Sequence, residues 1–233
     1  MKLIKISTIK GRIVLESGLH IGAGDTEMHI GGTDNPVVKN PHTNEPYIPG
    51  SSFKGKVRAL LEMRSGLMAY TDGKPVGARE LSKKLSDQER KDAEMILKLF
   101  GSSGADKEEV AQIGPSRLSF ADSLLTDESR EMVTARNLPY TEVKSENSIN
   151  RIKGTAINPR FTERVVAGLS FSFAITMKEM EGDSGLLEYL LEGIKMLSMD
   201  ALGGSGSRGY GRVRFEFEDQ TIQQSFDAAL VAA

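Results

Sequence analysis

Apolar positions repeat with a period of two near both ends of the chain and with helical spacing between. Ile4 and Ile6, then Ile13 and Leu15, read as β-structure, with Gly11 expected to mark a bend or bulge. Phe53, Val57, Leu60 and Leu61 form a helical stripe that Ser51 or Ser52 would cap and Ser65-Gly66 would close. A capping box, Ser86-Asp-Gln-Glu89, opens a second helix carrying Ala93, Ile96, Leu97 and Phe100. Arg117 to Ala121 predicts a short strand. Leu169, Phe171, Phe173, Ile175 and Met177 alternate with small polar residues and predict the clearest strand. Its aromatics have the spacing of a base-stacking surface, but the helices need a sheet to cover, so they are expected to face the core. Asp183 or Ser184 would cap a third helix, with Leu186, Leu190, Ile194 and Leu197, ending at Gly203. Val213, Phe215 and Phe217 predict a last strand, and residues after Gln220 a weakly ordered tail.

The polar stretches lie between these elements. Residues 66–79 are turn-rich and 102–110 are polar loop. Residues 134–164 alternate like a hairpin yet offer little to a core, and carry Arg136, Lys144, Arg151, Lys153 and Arg160; a disordered loop with solvated charge is the other reading. The order strand, helix, strands, hairpin, strand, helix, loop, strand is an elaborated βαββαβ unit. It predicts an α+β, ferredoxin-like core of the kind seen in RNA-recognition motifs. A single domain over residues 1–233 is expected, with a helical insertion at about 66–112 and a projecting hairpin at about 132–164.

Composition narrows the chemistry. With 39% hydrophobic and 27% charged residues, a soluble globular protein is expected. No apolar run approaches a membrane span, and MKLIKISTIK lacks the apolar core of a signal peptide, so no membrane partner and a cytoplasmic location are expected. Cysteine is absent, which removes disulfides and thiolate metal sites. The histidines, His20, His29 and His42, match no zinc spacing; His20 reads as structural, while His29 lies in a glycine-studded loop. A net charge of −2 argues against a generally basic coat but permits local basic tracks.

Three segments carry candidate chemistry. Residues 202–214, LGGSGSRGYGRVR, place five glycines around Arg208. Within them GSGSRG spells G-x-G-x-x-G, but in a helix–loop–strand context rather than the strand–loop–helix of a dinucleotide site, which leaves two readings for the loop by itself, a backbone-binding loop or a flexible connector. GSSFKGK at 50–56 matches G-x-x-x-x-G-K, yet Val57 stands where a P-loop needs Ser or Thr. What remains is a helix start with Ser51, Ser52, Lys54 and Arg58, which reads either as a seat for phosphate or as an ordinary amphipathic helix with solvated cations. In the acidic loop 22–40, which also holds Asp25, Glu27 and His29, Asp34 has two readings: an Asx-turn former, or a carboxylate held out on a loop.

Taken together these segments resemble the RAMP superfamily of CRISPR proteins. GGSGSRGYGRV resembles its glycine-rich loop, and IPGSSFKGKVR the first-helix motif of CRISPR backbone subunits. GGTDNPV resembles the catalytic loop of the target-RNA-cutting backbone subunit of type III-A (Csm) effector complexes, and TEVKSENSINRIKGTAINPRFTERVVAG that family's thumb hairpin. The match covers essentially the whole chain. It implies a subunit that stacks with other copies of itself along a CRISPR RNA, beside other Csm subunits. Each copy would cut bound target RNA at its own interval with Mg2+ or another divalent cation. By this resemblance Asp34 is the catalytic carboxylate and the one candidate metal ligand. Ser51, Ser52, Lys54 and Arg58, the loop residues Gly204, Gly206, Arg208 and Gly209, and Arg136 and Arg151 would bind RNA. The alternative is a non-catalytic guide-RNA-binding filament subunit with the same fold.

Overall fold

The computed structural model of the chain describes residues 2–24, 34–102 and 113–229. The expected runs at the start form one strand, β1 (Leu3–Leu15), and the second half of the βα unit is helix α1 (Gly50–Arg64). Helix α2 (Asp87–Phe100) follows, then the short strands β2 (Leu118–Phe120) and β3 (Leu124–Leu125) and helix α3 (Asp127–Arg136). A hairpin, β4 (Thr141–Asn150) and β5 (Thr155–Val165), precedes strand β6 (Ser170–Met180). Helix α4 (Leu186–Met199), strand β7 (Val213–Phe217) and helix α5 (Gln220–Ala228) complete the order.

The main sheet runs β2-β6-β1-β7, every neighbour antiparallel, with β3 also on β6. With β1-α1-β2 as one half and β6-α4-β7 as the other, this is the interleaved ferredoxin-like order. The alternating aromatics of β6 face inward: Phe171 and Phe173 are buried with Ile13, Leu15 and Phe215. Phe53 of α1 stacks on Phe215 at 5.5 Å and meets Phe173 edge-on at 5.8 Å, so α1 is fixed over the sheet centre. Gly193 lets α4 approach α1, because a Cβ there would lie 2.8 Å from Val57.

Four local expectations are corrected. Gly11 is not a bend; a Cβ would meet Glu216 O at 2.2 Å and the Phe173 ring at 2.8 Å, so it permits close approach within straight sheet. The register break in β1 lies instead between Leu3 and Lys5. Asp183 does not cap α4, whose N-cap is Gly185 in the left-handed region; its carboxylate binds Arg117. The segment after Gln220 is helix α5, capped by the Asp219 side chain and anchored by buried Phe226. Ser51 and Ser52 lie inside the first turn of α1, since Pro49 is its N-cap, and the Gly50 N–H donates to Asp122 Oδ1 at 2.8 Å. The capping box of α2 is formed as expected. Part of the 66–79 stretch joins the core through Leu67, Val76 and Ala78. The candidate residues Asp25, Glu27 and His29 lie outside the described residues, among which no helix is long and apolar enough to cross a membrane.

Candidate functional site

The glycine loop is held against the chain's own backbone. Its ends close on each other, Leu202 N–H donating to Gly211 O at 2.9 Å, and Gly211 N–H donates to Gly18 O at 2.9 Å. Gly204 N–H donates to His20 O at 2.8 Å. A Cβ on Gly211 would sit 1.9 Å from Leu202 O, and one on Gly203 2.3 Å from His20 O; both residues have positive φ. These glycines therefore make a shaped loop. Gly209, by contrast, has positive φ and open space around it, and Arg208 beside it is exposed.

From this loop a chain of contacts leads to Asp34. The His20 ring Nδ1 lies 2.7 Å from Glu163 O at the base of the hairpin, a structural role as expected. Leu19 bridges Val165, and Asn35 bridges Thr162. The Asp34 carboxylate accepts the Phe161 N–H at 3.0 Å. It is thus neither a self-bonded Asx turn nor a free side chain. Oδ2 is fixed by the hairpin base while the residue stays exposed.

Glu163 ties the same junction from inside. Its carboxylate is 9% exposed and accepts from Lys39 Nζ at 2.5 Å, Thr141 Oγ1 at 2.7 Å and Val37 N–H at 2.9 Å. Burial alone would raise its pKa; the bonds from Lys39, Thr141 and Val37 outweigh it and hold the carboxyl below its ordinary value. A depressed folded-state pKa gives stability that is present above the unfolded pKa and is lost as the pH falls through the folded one. Glu163→Gln is therefore expected to lower stability by about 1–3 kcal/mol at neutral pH. The gap to wild type should close below the carboxylate range. Urea unfolding of both proteins at neutral and at acid pH checks this, and an equal gap at both would remove the charge from the account.

The start of α1 stands beside the glycine loop. Lys56 Nζ pairs with Asp200 Oδ2 at 2.6 Å, just before the loop begins. Ser51 is exposed, and Ser52 and Lys54 are half-buried. Burial first, and the nearby Arg58 charge second, lower the Lys54 pKa. Among the described residues no carboxylate pairs with Lys54, so the attraction of an incoming anion would offset both effects. Arg58 is committed elsewhere: its guanidinium donates to Glu62 Oε1 at 2.7 Å, Val76 O at 2.5 Å and Gly101 O at 3.2 Å. It ties α1 to the helical insertion. Arg136 ends α3 rather than decorating the hairpin, and Arg151 sits in the exposed hairpin turn. Among the described residues no group of three or more His, Cys, Asp or Glu is arranged to hold a metal ion.

The structure adds residues that pattern did not single out. Glu163 shares a strand with Phe161 and Val165, and a charged residue in that alternation was the available signal. Tyr210, fully buried inside the glycine loop, gave none beyond being the loop's aromatic.

Known proteins are similar to this chain in sequence and in fold. The RAMP superfamily pattern matches residues 12–214. The CRISPR system Cms endoribonuclease Csm3 of Enterococcus italicus is 39% identical over 227 residues, 95% of this chain and 95% of that protein. The protein of the same name from Methanothermobacter thermautotrophicus is 38% identical over 229 residues, 93% of this chain and 86% of its own length. Among solved structures, a chain of the Csm3–Csm4 subcomplex of the type III-A CRISPR-Cas interference complex is 29% identical with a TM-score of 0.53; the match covers 93% of this chain and 78% of that one. The chain belongs to the RAMP superfamily, in its Csm3 family of CRISPR endoribonucleases.

Proposed function

We propose that this chain is a backbone subunit that stacks along a CRISPR RNA in the cytoplasm, with other Csm subunits, and cuts complementary target RNA at regular intervals. Asp34 is its catalytic carboxylate. The observation that carries the reading is the bond from Phe161 N–H to Asp34, which couples the carboxylate to the base of the hairpin. If that hairpin splays a target nucleotide, the ribose 2′-OH is brought into line with the neighbouring 3′-phosphate, so that a 2′,3′-cyclic phosphate forms as the bond to the 5′-oxygen of the next nucleotide breaks and that oxygen leaves with a proton. RNA then supplies the nucleophile, and the protein supplies position and a proton acceptor. Asp34, with Oδ2 held and the residue exposed, orients that hydroxyl or takes its proton.

Asp34 would offer a magnesium ion one exposed carboxylate, the other ligands falling to water and RNA oxygens. Such an ion would neutralise charge on the scissile phosphate. Ser51, Ser52 and Lys54 hold guide phosphates at the start of α1, with Arg208 and Gly209 contacting the guide from the loop. Arg151 at the hairpin turn meets the duplex.

The test is cleavage of a labelled complementary RNA by the complex reconstituted with its guide. A magnesium-dependent ladder of evenly spaced products is expected. Binding without cleavage would leave only a subunit that holds the guide. Single variants separate the two cations of α1. Lys54→Ala is expected to weaken guide retention about tenfold with unchanged thermal stability. Arg58→Ala is expected to cost about 2–4 kcal/mol of stability, because three buried or half-buried acceptors lose their donor. Filter binding and thermal melts of both variants decide the matter; guide loss without destabilisation in Arg58→Ala would return that residue to the phosphate seat.

A further inference from the structure

The glycine loop and the hairpin are joined at a carboxylate, Glu146 of β4. Its Oε2 lies 3.0 Å from Arg208 Nε. Its Oε1 accepts the Tyr210 hydroxyl at 3.0 Å and lies 3.5 Å from Lys144 Nζ. Tyr210 is itself covered by cations, with Lys144 Nζ 4.6 Å and the Arg164 guanidinium 4.9 Å from its ring centre. Arg164 is already paired with Glu142 at 2.8 Å. A guanidinium, an ammonium and a hydroxyl that converge on two oxygens make the donor set that binds a phosphate.

We propose that Glu146 is an internal stand-in for an RNA backbone phosphate, holding Arg208, Lys144 and Tyr210 in the free chain and giving way to the guide when it enters. The proposal rests on the reading of the glycine loop as a guide-RNA contact.

Two features favour exchange. The cluster is open to solvent on one side: the Arg208 side chain is 55% exposed and that of Glu146 21%, so the pair is screened and individually weak. A polyanion that meets several subunits at once outcompetes it. Second, the hairpin changes register beside Glu146, which pairs with Arg160 while Ser148 pairs with Ile157. Asn158, within that break, has a φ of 54°. A bulge of this kind bends and re-aims a strand. Glu146 therefore pins the hairpin to the loop at its bend, and its release by RNA links guide occupancy to where the outer hairpin points. The depressed pKa of Glu146 agrees: burial would raise it, but Tyr210, Arg208 and Lys144 outweigh burial and keep it ionised.

The experiment uses the full chain and a fluorescein-labelled single-stranded oligoribonucleotide long enough to span several subunits. Affinity is measured by anisotropy at low salt for wild type, Glu146→Gln, Glu142→Gln, Arg208→Ala and the double variant Glu146→Gln/Arg208→Ala. Glu146→Gln is expected to bind about threefold to fivefold more tightly, the strength of an exposed pair no longer to be broken. Glu142→Gln should gain clearly less, and Arg208→Ala should bind more weakly. In the double variant the gain from Glu146→Gln should shrink, because its main partner is gone. An equal gain in Glu142→Gln would reduce the effect to net charge and overturn the proposal. No gain in Glu146→Gln, with Arg208→Ala still weakened, would overturn it while leaving the glycine loop as a guide contact. Unaltered binding in Arg208→Ala would overturn the reading of the loop itself.

Discussion

Replacing Asp34 by Ala is expected to reduce cleavage of target RNA by the assembled complex about 10²–10⁴-fold, the usual contribution of a positioned proton acceptor. Target binding should be unchanged. The carboxylate is exposed and makes its bond to the backbone of Phe161 on a strand that Glu163 and the Asn35–Thr162 bridge hold independently. Its removal deletes a chemical group without loosening the frame around it. Single-turnover cleavage and filter binding in the same samples check both halves. If Asp34→Ala cuts like wild type, another residue does the chemistry and the chain acts as a ruler along the guide. If it binds target poorly, Asp34 serves the architecture of the site instead.

Arg117→Ala is expected to cost about 3–5 kcal/mol, enough to threaten folding. Arg117 is 3% exposed. Its Nε and Nη2 grip the two oxygens of Asp183 at 2.9 and 3.2 Å, and its Nη1 donates to Ile113 O at 2.8 Å and Pro115 O at 2.6 Å. Among the described residues, truncation would leave the Asp183 carboxylate, 5% exposed, with Met180 N–H at 3.0 Å and the looser ion pair to Lys98 Nζ at 3.8 Å. Burial would then raise the Asp183 pKa, which Arg117 and Met180 N–H now hold low. Urea unfolding at neutral pH measures the loss. Arg117→Met with Asp183→Asn should recover part of it, since no unpaired charge then stays buried. A cost below about 1 kcal/mol in Arg117→Ala would mean that water reaches the pair.

Much of this was legible in the chain itself. The two-residue period of Phe171, Phe173 and Ile175 and the helical stripe of Phe53, Val57 and Leu61 report which faces are buried, and those faces meet as the βαββαβ plan requires. Motifs singled out Asp34, the start of α1 and the glycine loop as candidates. Pattern could not supply the partner that each polar group finds across long sequence separations. Arg58 and Lys54 look equivalent one turn apart, yet among the described residues Arg58 is bound to the insertion and Lys54 has no carboxylate partner. Gly11 resembles any strand-breaking glycine until Glu216 and Phe173 are seen beside it. Helix α3, with its sparse apolar residues, and α5, with Phe226 as its one buried anchor, carry too weak a stripe to stand out.

The outer hairpin has its own consequence. Beyond Glu146, residues 148–157 pair among the described residues with each other alone, in a two-stranded ribbon, with Ile149 and Ile152 exposed. Such a ribbon has little independent stability in water. Amide exchange in the isolated chain should therefore show two tiers: fast opening in this ribbon, and slow, near-global opening in β1 and β6. In an assembly the fast tier should slow by the free energy with which RNA and neighbours hold the ribbon, so its protection would gauge how many subunits are engaged.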